Sequence, residues 1–289
     1  MLETLDHVIV AVRDLEAATG RMARLLGRTP SWRGEHPGEG TANTLFRLDN
    51  TYLELLAPLG DGAAGRALQA WLSRRGEGIA GVAFGTPDAE ACHRQFGEAQ
   101  LEPGPVSPGM GRDVESGAYR EWQRFDIPPQ RTRGVFLFAI EHQSPADILP
   151  PAGQLAEEAA TVSGLDHVVV RTADPEAAIR LYGESLGLRL ALDRSFPKWG
   201  SRMLFFRVGG VTVEVVASLD PSEEEADGDR LWGLCWRVPD ASRARKRMSA
   251  AGFDVSDVRD GRKPGTRVFT VRDGSCGVPT LMIEPVIGR

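Results

Sequence analysis

The stretch Asp6–Asp14, DHVIVAVRD, returns at Asp166–Asp174 as DHVVVRTAD. A histidine followed by apolar and β-branched residues and then an aspartate suits a strand that delivers the chain to a helix N-cap. Shifting the second stretch back by 160 residues places His167 on His7, Asp174 on Asp14, Gly187 on Gly27 and Pro197 on Pro37. The same shift puts Gly200 on Gly40, Arg207 on Arg47 and Glu214 on Glu54, with no gap. Residues 5–57 and 165–217 are therefore two copies of one unit.

Each copy parses in the same order. After the strand comes a helix, LEAATGRMARLLG or PEAAIRLYGESLG, stopped by Gly27 or Gly187. Three strands follow between Pro and Gly turns, in the first copy near Thr29–Arg33, near Thr41–Leu48 and at Thr51–Leu56. Weaker copies start at GVAFGTPD (Gly81–Asp88) and GLCWRVPD (Gly233–Asp240). They continue through helical segments Ala89–Gln100 and Ala241–Ala251, and close in VFLFAIE with Glu141 and TLMIE with Glu284. The expectation is an α+β fold of four βαβββ modules, at 5–57, 78–143, 165–217 and 231–285. They group into an N-terminal half, 1–143, and a C-terminal half, 164–289. Residues 144–163, rich in Pro, Ala and Glu, join the halves. Ala63–Leu72 is an extra helix leading to Trp71, a lid or a packing piece, and Asp220–Asp229, DPSEEEADGD, is a solvated acidic loop.

Composition narrows the function. A chain of 289 residues with net charge -6 and pI near 5.5 has no basic footprint for nucleic acid or an anionic membrane. No apolar run reaches membrane-spanning length, and the first strand begins too early for a signal segment, so a cytoplasmic monomer or homodimer acting on a small molecule is expected. Cys92, Cys235 and Cys276 are odd in number and lack paired metal spacing, which speaks against a disulfide framework or zinc knuckle.

The repeated unit resembles the vicinal oxygen chelate superfamily, which includes glyoxalase I, the extradiol dioxygenases, methylmalonyl-CoA epimerase and the bleomycin-resistance binding proteins. HPGEGTANTLF, His36–Phe46, is similar to the hallmark of its glyoxalase-like domains. The resemblance implies that two modules curl into a barrel-like sheet around a cleft. It also implies metal ligands from the first strand of a module, usually His, and from the last, usually Glu. Carried onto this chain, the ligands are His7, Glu54 and Glu141, with His167, Glu214 and Glu284 in the second half. The metal would be Zn, Ni, Mn or Fe, or there would be none, because Gly81 and Gly233 stand where the second histidines belong. Any odd-with-even pairing of modules gives one His and two Glu per cleft. Only an odd-with-odd pairing would unite His7, Glu54, His167 and Glu214. An extradiol iron site would need a histidine at position 233.

His36, Thr41 and Asn43 form a polar trio on a turn-rich hairpin, able to position a substrate oxygen or move a proton, or merely to satisfy turn amides. The second copy has Phe196, Ser201 and Met203 there, so one cleft is polar, the other apolar, and the reacting oxygens belong in the first. Trp122, Arg124 and Arg133 offer an aromatic wall and cations, or are surface residues. Arg171 and Arg237 share strand parity with His167, while His93 and His142 look incidental. The function expected is a small-molecule lyase, isomerase or oxygenase acting at an oxygen-bearing carbon. The alternative is a metal-independent protein that binds or sequesters an apolar small molecule.

Overall fold

A computed structural model describes residues 1–220 and 228–286. Most of the acidic run expected as a solvated loop, 221–227, lies outside the described residues. Its last member, Asp229, is buried, and its Oδ1 accepts from Arg133 Nε at 3.0 Å.

The first eight strands are β1 (Thr4–Ala11), β2 (Trp32–His36), β3 (Thr41–Arg47), β4 (Tyr52–Pro58), β5 (Gly78–Gly85), β6 (Ser107–Asp113), β7 (Tyr119–Ile127) and β8 (Leu137–His142). Helix α1 (Leu15–Leu26) follows β1, α2 (Ala63–Arg75) follows β4 and α3 (Ala89–Glu98) follows β5. These strands close into a barrel in the order β1-β4-β3-β2-β6-β7-β8-β5. The remaining strands are β9 (Gly164–Thr172), β10 (Arg189–Phe196), β11 (Ser201–Val208), β12 (Val211–Ser218), β13 (Arg230–Arg237), β14 (Arg259–Asp260), β15 (Arg267–Val271) and β16 (Thr280–Glu284). Helix α4 (Pro175–Ala178) continues into a π-helical turn, Ile179–Ser185, and α5 (Ala241–Ala250) follows β13. This second sheet stays open, in the order β10-β11-β12-β9-β13-β16-β15-β14. Because β1 lies antiparallel to β5 and β9 to β13, the odd-with-odd arrangement is not adopted.

Local chemistry explains these elements. Asp14, Asp88, Asp174 and Asp240 are all N-caps, whose side chains accept backbone N–H bonds, as from Ala17 at 2.9 Å and Ala91 at 2.8 Å. Gly27 ends α1 at φ 70, a left-handed conformation that glycine adopts without steric cost. β2 starts later than the turn signals suggest, because Thr29 N donates to Gly153 O and Arg28 bridges Gln154. The joining segment is thus no free tether: Leu149, Ala152, Ala160 and Val162 are buried. From the second half, Arg247 Nη2 donates to Leu25 O at 2.7 Å, capping the C-terminus of α1.

Alternation along the strands splits the first half into two cores. Val8, Val10, Val82 and Phe84 point out of the barrel and share one large cluster with Val168, Val170 and Val213 of the open sheet. Ile9, Ala83, Phe138 and Ile140 point inward. Helix α2 plugs one end of the barrel, setting Leu68 and Leu72 against Ala11. It docks by backbone contact: a Cβ on Gly65 would stand 2.2 Å from Gly40 O, and one on Gly62 2.2 Å from Glu39 O. Gly65→Ala should therefore cost roughly 1–3 kcal/mol in denaturant unfolding and speed amide exchange in α2, whereas Gly97→Ala, with no neighbour within 4 Å, should do neither.

Candidate active site

Inside the barrel, β1 and β4 run parallel with Ile9 opposite Glu54 and His7 opposite Tyr52. This register sets the histidine ring beside the carboxylate. His7 Nε2 lies 3.4 Å from Glu54 Oε2, and Tyr52 stacks on the imidazole at 4.4 Å. Asn43 Nδ2 donates to Glu54 Oε1 at 2.7 Å and lies 3.3 Å from His36 Nε2, while His36 Nδ1 meets Thr41 Oγ1 at 2.8 Å. The structure thus brings His7, Glu54, His36, Thr41 and Asn43 into one belt across β1, β4, β3 and β2. Trp122 adds an edge to His36 at 6.0 Å, and Arg124 lies over the Phe138 ring at 5.6 Å. Asn43 Oδ1 is buried without a partner among the described residues, an acceptor left open beside the carboxylate.

Alternation along β1 assigns Asp6 to the face opposite His7. The β1–β5 register slips between Leu5 and His7, making Asp6 the extra residue of a bulge. The slip lets Asp6 Oδ1 meet His7 Nδ1 at 2.7 Å, and His142, which looked incidental, reaches Asp6 Oδ2 at 3.0 Å. The second sheet repeats the device: the register slips between Leu165 and His167, and Asp166 Oδ1 lies 2.9 Å from His167 Nδ1.

The charges sort themselves. Burial would raise the Glu54 carboxyl, but the hydrogen bond and charge of His7, aided by His36 and Asn43, bring it down to about 2. Burial would also discharge His7, yet Asp6 and Glu54 hold its pKa above the ordinary value. His36 goes the other way: burial, with the Arg124 charge adding to it, lowers its pKa. Near pH 6.5 a proton therefore favours His7 over His36, and both flank an ionised carboxylate.

Glu141 does not join them. It projects from the barrel, where its Oε2 accepts from Ala89 N at 2.8 Å, at the start of α3. Glu284 likewise accepts from Ala241 N at 2.8 Å, at the start of α5. The strand registers explain both departures from the expected ligand sets. Ile9 pairs with Glu54, whereas the corresponding pairs are Ala83 with Phe138 and Cys235 with Leu281. The last-strand carboxylate position thus holds Phe138 or Leu281, and the glutamates lie three residues on, facing the helices. Phe136 fills the space beside Gly81, 2.6 Å from where a Cβ would stand. The barrel offers a metal only two of the donors expected, His7 and Glu54, and both are already paired. The expected set of His7, Glu54 and Glu141 does not converge there.

On the open sheet His167 Nε2 meets Glu214 Oε2 at 3.1 Å, and Arg237 Nε donates to Asp166 Oδ2 at 3.1 Å. Cys235, which has no paired metal spacing in the sequence, is the register partner of His167. Its parity with Gly233, two residues before, was the signal in the sequence. At the hairpin here Phe196 stacks on Trp199 at 4.9 Å, and Met203 and Ser201 are buried. Arg133 pairs with Asp229, and His93 packs on Phe125 at 5.3 Å, so neither reaches the belt. Among the described residues, no helix is long and apolar enough to cross a membrane.

A family model described as a glyoxalase-like domain matches residues 5–163, more than half of the chain. A model of the Glyoxalase/Bleomycin resistance protein/Dioxygenase superfamily matches residues 166–270. The chain belongs to this glyoxalase-like family. An ethylmalonyl-CoA/methylmalonyl-CoA epimerase of Cereibacter sphaeroides is 40% identical over 63 residues, covering 22% of this chain and 47% of the relative. The chain thus matches about half the length of that curated relative. A mutant of 4-hydroxymandelate synthase from Streptomyces coelicolor has the same fold, with a TM-score of 0.67 at 16% identity over 100% of this chain and 94% of that one. A "hypothetical protein" from Staphylococcus aureus does too, at 0.66 and 11% over 96% and 97%.

Two variants separate the glutamates. Glu54 titrates near 2 rather than 4.5, so its ionisation contributes on the order of 3 kcal/mol. That contribution is present above pH 4.5 and lost as pH falls through about 2. Glu54→Gln should be less stable at pH 6, with the gap closing toward pH 2 in denaturant titrations. Glu141→Ala should lose about 1 kcal/mol of helix capping and leave the His7 pKa, read by NMR, unchanged.

Proposed function

We propose that this glyoxalase-like chain is a small-molecule enzyme that moves a proton at a carbon beside an oxygen-bearing one, with the first-half belt as its site. The observation that carries the reading is the pair of histidines flanking Glu54, buried His7 3.4 Å from Oε2 and half-buried His36 4.0 Å from Oε1, whose pKa values their surroundings shift in opposite directions. Such a split is how one site holds an acid and a base at one pH. Asn43 gives one amide N–H to Glu54 and the other to His36 Nε2, so His36 carries its proton on Nδ1, toward Thr41. His36 Nε2 is then the base, its lone pair leaving the long 3.3 Å contact with Asn43 for the substrate C–H. It takes the C–H proton while the bonding electrons move onto the substrate oxygen, giving an enolate. The positive charges of His7 and Arg124 favour that oxyanion, and Asn43 Oδ1 receives a substrate hydroxyl or N–H. Return of the proton to the same or a neighbouring carbon gives an isomerase; loss of a leaving group gives a lyase. No step here is routed through a metal, since Glu141, the third donor expected beside His7 and Glu54, faces α3 instead. The likeness to an ethylmalonyl-CoA/methylmalonyl-CoA epimerase, over 63 residues, supports the isomerase form of this reading.

The second reading, binding of an apolar ligand, is favoured by the open sheet, where Leu192, Trp199 and Trp232 are exposed. The two readings separate in deuterated water. A panel of 2-oxo acids, 2-hydroxy ketones and acyl thioesters should show enzyme-dependent C–H to C–D exchange by NMR, lost in His36→Ala. No exchange across the panel, with ligand capture by the Trp199 face, would favour the binder. The exchange rate should be bell-shaped in pH, rising as His36 loses its proton below pH 6.5 and falling as His7 loses its own above 6.5. Asn43→Met should cost roughly 1–3 kcal/mol in substrate binding or turnover, and Met203→Asn should act chiefly on stability.

A further inference from the structure

We propose that the open sheet carries a separate site for a thiophilic divalent cation, with Cys235, His167 and Asp166 as donors and Glu214 beside them. One ligand atom from each of the three donors lies within 4.8 Å of the others. They converge because Cys235 sits opposite His167 across β9 and β13, and because the bulge turns Asp166 back onto the imidazole. The closed barrel supplies the contrast: it repeats the Asp-His-Glu arrangement at Asp6, His7 and Glu54, but Ala83 is opposite His7. The thiol is therefore what the second half adds, in place of the donor lost at Gly233.

The donor set selects the ion. One thiolate, one imidazole and one carboxylate suit zinc or cobalt(II) rather than magnesium or calcium, and three protein donors leave a fourth position for water or a ligand. Arg237 holds the other oxygen of Asp166 at 3.1 Å, fixing the carboxylate in place. Charge closes as well. Asp166, Glu214 and a Cys235 thiolate, set against Arg237, sum to minus two. A dication offsets that charge as the Cys235 thiol releases its proton to solvent. Access differs between the halves too: the side chains of His167 and Asp166 are 16% and 24% exposed, against 4% and 13% for His7 and Asp6. This site stands in the other half from the acid-base belt, and neither reading depends on the other.

The test is a cobalt(II) titration of the full chain after chelator treatment. The expected result is saturation at one equivalent with the near-ultraviolet absorption of a cobalt–thiolate bond. Cys235→Ser should lose that band and bind at least about ten-fold more weakly, with a thermal melt to verify its fold. Saturation without the band, no retention at one equivalent, or the same band in Cys235→Ser would overturn the proposal, the last by moving the sulfur to Cys92 or Cys276. Should Cys235→Ser fail to fold, X-ray absorption of the zinc-loaded native chain decides: one sulfur neighbour supports the site, and none ends it.

Discussion

Everything in the first half is arranged around a carboxylate buried inside a closed barrel. An isolated charge cannot leave water without either neutralising or finding partners, and Glu54 finds His7, Asn43 and His36. Each partner is then held in turn, His7 by Asp6 and Tyr52, His36 by Thr41. The result is a polar belt one layer deep between apolar plugs, Leu68 and Leu72 of α2 on one side and Trp32 and Leu149 on the other. Closing the barrel makes the belt's charges matter, because low polarity around them strengthens every pairwise term.

The repeat of DHVIVAVRD in DHVVVRTAD carried the architecture, because the aspartate that ends each copy caps a helix and that requirement is local. Strand parity likewise placed His7 and Glu54 on one face, since a period of two survives any later packing. Parity failed where the strands do not keep step. Asp6 and Asp166 belong to bulges, and a bulge is set by the pairing strand, which no local pattern announces. Glu141 and Glu284 misled for another reason. A glutamate near the end of an apolar strand looks the same whether it faces the barrel or the next helix, and only the register of β8 and β16 separates Phe138 from Glu141 and Leu281 from Glu284.

The two halves show how one unit diverges under two constraints. In the barrel, Phe136 and Phe138 occupy space that a second donor pair would need, and the polar hairpin trio of His36, Thr41 and Asn43 lines up beside Glu54 instead. In the open sheet the hairpin became Phe196, Ser201 and Met203, while Cys235 arrived opposite the retained histidine. Polarity moved from one module of the pair to the other.

Leaving the second sheet open also leaves it two rims, each a row of backbone groups that a neighbouring chain could pair with, and each is blunted differently. β14 is a strand of only two residues, too short to template anything. β10 is eight residues long and almost wholly exposed, but it carries Arg189, Asp193 and Arg194, charges that a flat intermolecular ladder would have to accommodate. The barrel needs no such defence, so the charge kept on β10 is a cost of openness that only the second half bears.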